Sequence, residues 1–196
     1  MGKGAETRDR IVDSALRLAS RDGFEGLTLG TLSTELGLSK SGLFAHFGSK
    51  DELQLQVLQA AVNRFTETVV RPALAMPRGE PRIRAFFENW LGWANDPCMP
   101  GGCILVTAAV EFDDRPGPQR DVLAAAHKDR VAFMTKAARL AVEAGHFRPD
   151  LDLGQFAFDM DCIALGYHHS QRLLRDPKAG ERARFAFERL LAAARA

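Results

Sequence analysis

The fold of this chain is decided by TLGTLSTELGLSKSGLFAHFGSKDEL, which runs from Thr28 to Leu53. Thr28 and Ser39 are residues of the type that caps the start of a helix, and Gly37 is of the type that ends one. The spacing predicts one short helix up to Leu36 and a second over residues 40–47. Two helices joined by so tight a turn are typical of a helix-turn-helix.

A further helix is predicted to begin at Ser49-Lys-Asp-Glu52. In such a capping box the Ser49 hydroxyl accepts a hydrogen bond from the amide of Glu52, and the Glu52 carboxylate accepts one from the amide of Ser49. Apolar residues recur at helical spacing as far as Val69. We expect the helix to break at residues 71–81, because this segment contains three prolines and a glycine.

Helical spacing dominates the rest of the chain, and we find no run that alternates with a period of two. A first helix is predicted from about Glu6 to Asp22, with Gly23 as its left-handed end. Later helices are predicted at about 81–95, 103–112, 118–144, 151–174 and 177–193. The chain is therefore expected to be all-α with about nine helices. We expect residues 1–50 to form a small three-helix unit and residues 51–196 an antiparallel bundle.

Bulk charge does not indicate a nucleic-acid partner. The 196 residues are 46% hydrophobic and 26% charged, with a net charge of +1. Residues 1–50 contain seven Lys and Arg against six Asp and Glu. Any DNA contact must therefore depend on where individual cations lie.

The sequence also predicts where the protein resides. Its first residues lack the apolar segment of a secretory signal, and the apolar stretch from Cys103 to Val110 is too short to span a bilayer. Three cysteines do not form a disulfide framework. We expect a cytoplasmic protein with reduced thiols.

The residues around the predicted turn suit a DNA groove. The second helix of a helix-turn-helix enters the major groove with its N-terminal residues leading. Small side chains there allow close approach to base edges, and cations or helix starts can address phosphates. The residues expected to contact DNA are Thr28, Lys40, Ser41, Gly42, Ala45, His46 and Lys50. Taken alone, the same pattern also fits an ordinary capped helical hairpin.

Residues 11–53 resemble the tetracycline-repressor-like (TetR) family of transcriptional regulators. The matching features are an amphipathic first helix, Gly23-Phe24, Leu27-Thr28, the turn over residues 37–40, and the closing motif over residues 44–53. Residues 99–121 also look like one branch of the family's effector domains. The resemblance implies that residues 1–50 are a helix-turn-helix DNA-binding domain and residues 51–196 a ligand-binding and dimerisation domain. It implies a homodimer that binds a palindromic operator, most often as a repressor, and that a small ligand releases. It does not imply an enzyme.

Phe44 departs from the family pattern. The family usually has tyrosine at this position, and its hydroxyl commonly contacts a phosphate. Phenylalanine lacks that hydroxyl, so we expect Phe44 only to pack.

The resemblance places the dimer interface on the last two helices. The residues expected there are Phe156, Ile163, Tyr167, Leu174, Phe185 and Leu191. Each of them equally fits an ordinary core position.

The ligand site is expected among the fifth to eighth helices. Aromatic and methionine walls suit a hydrophobic or aromatic effector, although such residues also form plain cores. The predicted ligand-binding residues are Phe86, Phe87, Trp90, Cys103, Val106, Thr107, Phe133, Met134, Met160, Tyr167 and His168. Trp93 is a further wall candidate. Glu111 is either a polar ligand group or the ion-pair partner of Arg115.

Other chemistries have weaker support. Cys98 and Cys103 lie five residues apart, so they are either a redox switch or a loop thiol and a buried thiol. His168 and His169 are adjacent and diverge by about 100° on a helix, so they cannot chelate one ion together. No zinc motif, catalytic constellation or phosphate loop is recognisable. We therefore expect no metal, cofactor or catalytic residues, and a helical-bundle enzyme remains a remote alternative.

Overall fold

The structure is a computed structural model that describes residues 3–195, and over that range it confirms an all-helical fold. Nine helices are present within it. They are α1 (Lys3–Gly26), α2 (Leu29–Leu36), α3 (Lys40–Phe47), α4 (Lys50–Phe65, continued by Thr66–Val70 and Arg71–Ala75), α5 (Glu80–Trp93), α6 (Ile104–Phe112), α7 (Pro118–Glu143), α8 (Leu153–Arg172) and α9 (Ala179–Ala194).

The chain divides into two compact units. The first contains residues up to 64 together with 95–125, and the second contains residues 65–94 together with 126–196. The helix-turn-helix and α6 therefore belong to one unit, while α5, α8 and α9 belong to the other. Both α4 and α7 contribute residues to each unit. The functional boundary at residue 50 stays a prediction.

The helix-turn-helix is anchored by a few apolar side chains. Leu32 of α2 is fully buried, and so is Leu43 of α3. Phe47 lies one turn after Leu43 on the same side of α3 and is also buried. Since α3 uses these two residues for packing, its remaining positions are available to the surface.

Hydrogen bonds set the limits of the two short helices. The Thr28 hydroxyl accepts from the Thr31 amide at 3.0 Å, and the Thr31 hydroxyl accepts from the Thr28 amide at 3.0 Å. Ser39 caps α3 by accepting from the Gly42 amide at 3.1 Å. Gly37 ends α2 with a φ of 64°, as its position predicts. Thr31 completes a capping box that sequence analysis did not predict.

The predicted capping box at the start of α4 is only half formed. The Glu52 amide donates to the Ser49 hydroxyl at 3.0 Å, as expected. The Glu52 carboxylate, however, accepts from the Gln56 side chain at 2.6 Å, and the Ser49 amide donates to the Phe47 carbonyl at 2.8 Å. The tight turn that follows α3 thus already satisfies the amide that the carboxylate was expected to reach.

The end predicted for α1 is a kink. Gly23 has a φ of 76° and a ψ of 172°, but the helix resumes and continues to Gly26. A non-helical residue leaves the amides that follow it without their usual helical acceptors. The kink therefore needs another hydrogen-bond acceptor nearby.

The chain breaks within the predicted segment 71–81, but later than expected, because α4 continues to Ala75. Residues 66–70 form a π-helical turn in which the Arg71 amide donates to the Thr66 carbonyl. Pro72 follows at once. A proline cannot donate a hydrogen bond, and its ring crowds the carbonyl four residues earlier. The wider turn accommodates this proline, so the chain leaves the helix only at Met76.

Aromatic rings dominate the core of the second unit. Phe65 contacts Phe86, Trp90 and Trp93 with centroid separations of 6.4, 6.1 and 5.5 Å. Phe86 also lies 4.8 Å from Phe133. These edge and tilted contacts bring residues of α4, α5 and α7 into one cluster.

An ion pair lies in the same unit. Arg130 Nη2 is 2.9 Å from Asp161 Oδ1, and the two side chains are only 13% and 10% exposed. The guanidinium also lies 4.9 Å from the ring centroid of Trp90, and it contacts His127 Nδ1 at 2.6 Å. Each charge is therefore partnered despite its burial.

A second charged cluster joins the start of α5 to the residue that follows α9. Glu80, at the start of α5, pairs with Arg195 at 2.6 Å and with Arg84 at 2.7 Å. Hydrogen bonds from Arg195 and then Arg84 lower the pKa of Glu80 to about 2, against an opposing effect of burial. Because this pKa is depressed, the contribution of the cluster is lost only as the pH falls towards that value.

The Arg130–Asp161 pair gives a prediction about stability. Replacing Arg130 by Met or Asp161 by Leu leaves the other charge buried without its partner, so either change alone should lower the free energy of unfolding by about 3 kcal/mol. The double variant R130M/D161L removes both charges and should recover most of that loss. Urea unfolding measures these differences. Additive losses in the double variant would contradict the structural argument.

Candidate nucleic-acid interface and ligand site

The structure brings two predicted DNA contacts together at the start of α2. A side-chain carbon placed on Gly30 would lie 3.5 Å from the Thr28 hydroxyl and 3.7 Å from Lys40 Nζ. The ammonium of α3 therefore lies beside the N-terminus of α2, where the helix dipole favours an anion. The arrangement can hold a phosphate.

The predicted contacts on α3 share its outer surface. Lys40, Ser41, Gly42 and Ala45 are exposed, and His46 is half-buried beside the ring of Phe47. None of these side chains is used to anchor α3. They present a surface of mostly small residues with one cation at its N-terminal end.

Phe44 corrects one expectation. Its side chain is 55% exposed, so the prediction that this ring only packs is wrong. Packing of α3 is already supplied by Leu43 and Phe47, which leaves Phe44 on the outer side of the helix.

Lys50 already has a partner within the chain. Its Nζ lies 3.5 Å from Glu25 Oε2 and 3.3 Å from the Glu25 carbonyl oxygen. Glu25 also accepts a hydrogen bond from Arg115 Nη1 at 2.6 Å. The hydrogen bond from Arg115, followed by the charge of Lys50, lowers the pKa of Glu25. A phosphate approaching Lys50 therefore competes with a carboxylate that Arg115 can continue to hold.

Glu111 does not form the ion pair with Arg115 that was one of its two predicted roles, because Arg115 pairs with Glu25. Its role towards a ligand stays a prediction. Its carboxylate accepts from the Phe24 amide at 2.9 and 3.1 Å and from the Glu25 amide at 3.2 Å. These are the amides that follow the kink at Gly23. The side chain of α6 thus supplies the acceptors that α1 lacks. Sequence analysis missed this role because the partners are 87 residues apart.

A second attachment joins the same parts of the first unit. The Ser20 hydroxyl donates to the Gly102 carbonyl at 3.1 Å and accepts from the Gly101 amide at 3.0 Å. A side-chain carbon on Gly101 would lie 1.4 Å from the Ser20 carbonyl oxygen, so only glycine fits. Gly101 and Gly102 therefore form a docking loop for α1.

The predicted ligand-binding residues are divided between the two units. Cys103 is buried, and Val106 and Thr107 are half-buried; all three belong to the first unit. The remaining eight belong to the second unit: Phe86, Phe87, Trp90, Phe133, Met134, Met160, Tyr167 and His168. Phe87 stacks on Phe187 at 3.9 Å and is fully buried, as a core residue would be.

His168 combines burial with an unused polar atom. Its Nε2 is inaccessible and has no hydrogen-bond partner. Burial lowers the pKa of this imidazole, with smaller contributions from Arg172 and His169. A neutral ring with an unsatisfied nitrogen is well suited to hydrogen-bond a ligand. Sequence analysis named His168, but it did not find Arg130 and Asp161, whose pairing depends on two different helices.

The residues predicted for the dimer interface fall into two groups. Phe156, Tyr167 and Leu191 are buried within the single chain. Ile163 is half-buried, while Leu174 and Phe185 are 64% and 67% exposed. The exposed apolar residues of α8, α9 and the link between them are Phe158, Leu165, Leu173, Leu174 and Phe185. We call this set the α8–α9 apolar face.

All three cysteines are free thiols, in different environments. Cys98 is half-buried and accepts a hydrogen bond from Arg64 Nη2 at 3.4 Å. Cys103 is buried and Cys162 is exposed. No group of three or more His, Cys, Asp or Glu side chains in residues 3–195 is arranged to hold a metal ion. In the same range, no helix is both long and apolar enough to cross a bilayer.

Two family models match this chain. The model described as bacterial regulatory proteins of the tetR family matches residues 11–57, which include α2 and α3. The model described as the tetracyclin repressor-like C-terminal domain matches residues 79–187, more than half of the chain.

Curated relatives agree with these matches. The negative transcriptional regulator IcaR of Staphylococcus epidermidis is 30% identical over 33% of this chain and 35% of its own length. The chain thus spans about a third of the length of the first relatives it matches. The transcriptional repressor ComR of Escherichia coli is 22% identical over 84% of this chain and 79% of its own.

A solved structure shares the fold throughout. A TetR transcriptional regulator from Chloroflexus aurantiacus has a TM-score of 0.87 and 25% identity, covering 98% of this chain and 96% of its own. Regulators of this family bind DNA and are not enzymes. The chain belongs to the TetR family of transcriptional regulators.

Proposed function

We propose that this regulator binds a palindromic operator as a homodimer and represses transcription until a small hydrophobic or aromatic effector releases it. The observation that carries the proposal is the placement of Lys40 Nζ and the Thr28 hydroxyl together at the N-terminus of α2. This site suits a backbone phosphate, while the small exposed residues of α3 suit the major groove. The names of IcaR and ComR, each a repressor or negative regulator, support repression.

Lys50 adds a contact that forms by exchange. In the chain alone its ammonium lies near Glu25. On binding, a phosphate takes the place of that carboxylate, and Arg115 keeps Glu25 paired. Glu25 thus orients Lys50 before DNA binds, and each of these charged groups still has a partner after the exchange.

The dimer is proposed to use the α8–α9 apolar face. An apolar surface of this kind is typical of a protein contact. Two copies related by a twofold axis would present their α3 helices to successive major grooves, roughly 34–36 Å apart. Such a protein acts where its operator is, in the cytoplasm.

The effector is proposed to bind among the aromatic residues of the second unit. Trp90, Phe86 and Phe133 offer flat apolar surfaces, and His168 offers an unsatisfied nitrogen. Contributions from Cys103, Val106 and Thr107 stay predictions. A hydrophobic ligand with one hydrogen-bonding group matches this chemistry.

Release follows from unequal affinity for two conformations. An effector that prefers the form unable to bind DNA shifts the equilibrium by its differential affinity alone. A coupling of about 1–3 kcal/mol weakens operator binding roughly 5- to 150-fold. We propose that α4, whose residues belong to both units, transmits this change.

A thiol-based regulator is the second candidate. Arg64 donates to the Cys98 sulfur, and reactive cysteines lie in electropositive, partly exposed surroundings. The predicted partner, Cys103, is buried. An effector-responsive regulator is favoured, because a buried thiol reacts less readily than an exposed one.

The DNA proposal predicts how lysines affect binding. The operator is first selected from random duplex DNA with the wild-type protein. Lys40→Ala should then weaken binding to that operator and lower the slope of log affinity against log salt by about 0.9 for each phosphate that the variant no longer neutralises. Lys136→Ala, an exposed lysine of α7, is the matched control and should change neither quantity. Fluorescence anisotropy at several salt concentrations measures both.

Two outcomes would contradict the DNA proposal. One is a Lys40→Ala variant with wild-type affinity and salt dependence. The other is a selected operator without inverted symmetry, or a protein that remains monomeric on it in sedimentation analysis.

The effector proposal predicts a signal from one tryptophan. In a Trp93→Phe variant, Trp90 is the remaining tryptophan. Within a panel of aromatic compounds, 2-naphthol should quench Trp90 more tightly than naphthalene, since its hydroxyl can bond His168. His168→Ala should remove that preference, and the control His169→Ala, at an exposed neighbour, should keep it. A panel without saturable quenching, or operator affinity unchanged at saturating ligand, would defeat the proposal.

A further inference from the structure

The first unit exposes apolar as well as polar side chains. Within the described residues of that unit, three large apolar side chains are exposed: Leu38, Phe44 and Val110. Two of them belong to the helix-turn-helix. The largest of the three, Phe44, lies on α3 itself and is 55% exposed.

The local sequence explains why this ring remains uncovered. Ser41 lies one turn before Phe44 and Gly48 one turn after it, and both have too little side chain to shield a benzyl group. Ala45 beside it is equally small. Leu43 and Phe47 meanwhile turn into the core. Phe44 is therefore the most prominent apolar group on the outer side of α3.

The ring also lies one helical turn from the phosphate site. Lys40 precedes Phe44 by four residues, so both lie on the same side of α3. With Lys40 Nζ held at the N-terminus of α2, the ring lies farther along the helix that enters the groove. The charged and apolar groups thus address different parts of a duplex.

The chemistry of the ring limits what it can read. Phenylalanine has no hydroxyl, so it cannot donate a hydrogen bond to a phosphate. Among the base edges in the major groove, the methyl group of thymine is the apolar feature, and phenylalanine is one of the side chains that contact it. We propose that Phe44 is a specificity-determining residue that recognises thymine by covering its 5-methyl group. This inference rests on the proposed binding of operator DNA.

The test removes one methyl group at a time. An operator selected with the wild-type protein is resynthesised with deoxyuridine in place of each thymine in turn, which deletes the methyl group and preserves base pairing. At one thymine of each half-site, wild-type affinity should fall about fourfold, the effect of burying one methyl group. Phe44→Ala should show no loss at that position, whereas Phe44→Tyr, which keeps the ring, should retain it. Val110→Ala is the matched control at an exposed apolar site and should behave as wild type.

The outcomes separate this inference from the proposed function. Equal sensitivity to deoxyuridine in wild type and Phe44→Ala, or no sensitive thymine at all, would overturn the role of Phe44 while operator binding persists. A Phe44→Ala variant that loses affinity equally for every duplex would also overturn it, since that indicates a contact with the sugar-phosphate backbone. A wild-type protein that selects no duplex defeats the proposed function itself. Unchanged circular dichroism of Phe44→Ala confirms that the variant is folded.

Discussion

The first unit depends on one carboxylate. Glu111 of α6 accepts hydrogen bonds from the Phe24 and Glu25 amides, which the kink at Gly23 leaves without helical acceptors. A side-chain carbon on Gly23 would lie 2.7 Å from Glu111 Oε1, so the glycine both makes the kink and gives the carboxylate room. The last residues of α1 and the start of α2 take their positions from this contact.

The same contact connects Lys50, one of the residues proposed to contact DNA, to α6. Glu25, whose amide binds Glu111, holds Lys50 and Arg115 through its own carboxylate. Gln54 of α4 donates to the Phe24 carbonyl at 3.0 Å. This carbonyl belongs to the same peptide bond as the Glu25 amide. Any displacement of α6 therefore reaches the end of α1, and through Glu25 it reaches Lys50. Lys50 and Gln54 both belong to α4, the helix proposed to transmit the release from DNA, so this network includes the first residues of that helix.

Sequence reasoning succeeded where the structure is local. The caps at Thr28 and Ser39 and the positive φ of Gly37 follow from residue type and spacing within a few positions. The π-helical turn before Pro72 was missed, because apolar spacing and a proline together suggest a break. Phe44 was expected to pack because its ring lacks the hydroxyl of the tyrosine that is usual in the family. Its exposure instead follows from Leu43 and Phe47, which are the side chains of α3 that occupy the core.

Polar contacts between residues far apart in the sequence were also not predicted. Glu111 and Phe24 are 87 residues apart, and Arg130 and Asp161 are 31 apart. Local periodicity does not show which of these residues pair, since the sequence offers each carboxylate several possible basic or amide partners. Glu111, moreover, binds backbone amides, and Arg130 lies over the face of Trp90; sequence patterns display neither kind of partner.

Hydrogen exchange at the Phe24 and Glu25 amides tests the central role of Glu111 most directly. Both amides should be protected in the wild-type protein. In Glu111→Ala they should exchange at least tenfold faster, since a hydrogen bond to a charged group contributes about 1.5–3 kcal/mol, and operator affinity should fall in parallel. The control Asp113→Ala removes an exposed acid just after α6 and should leave both amides protected. Unchanged exchange and unchanged operator affinity in Glu111→Ala would contradict the account.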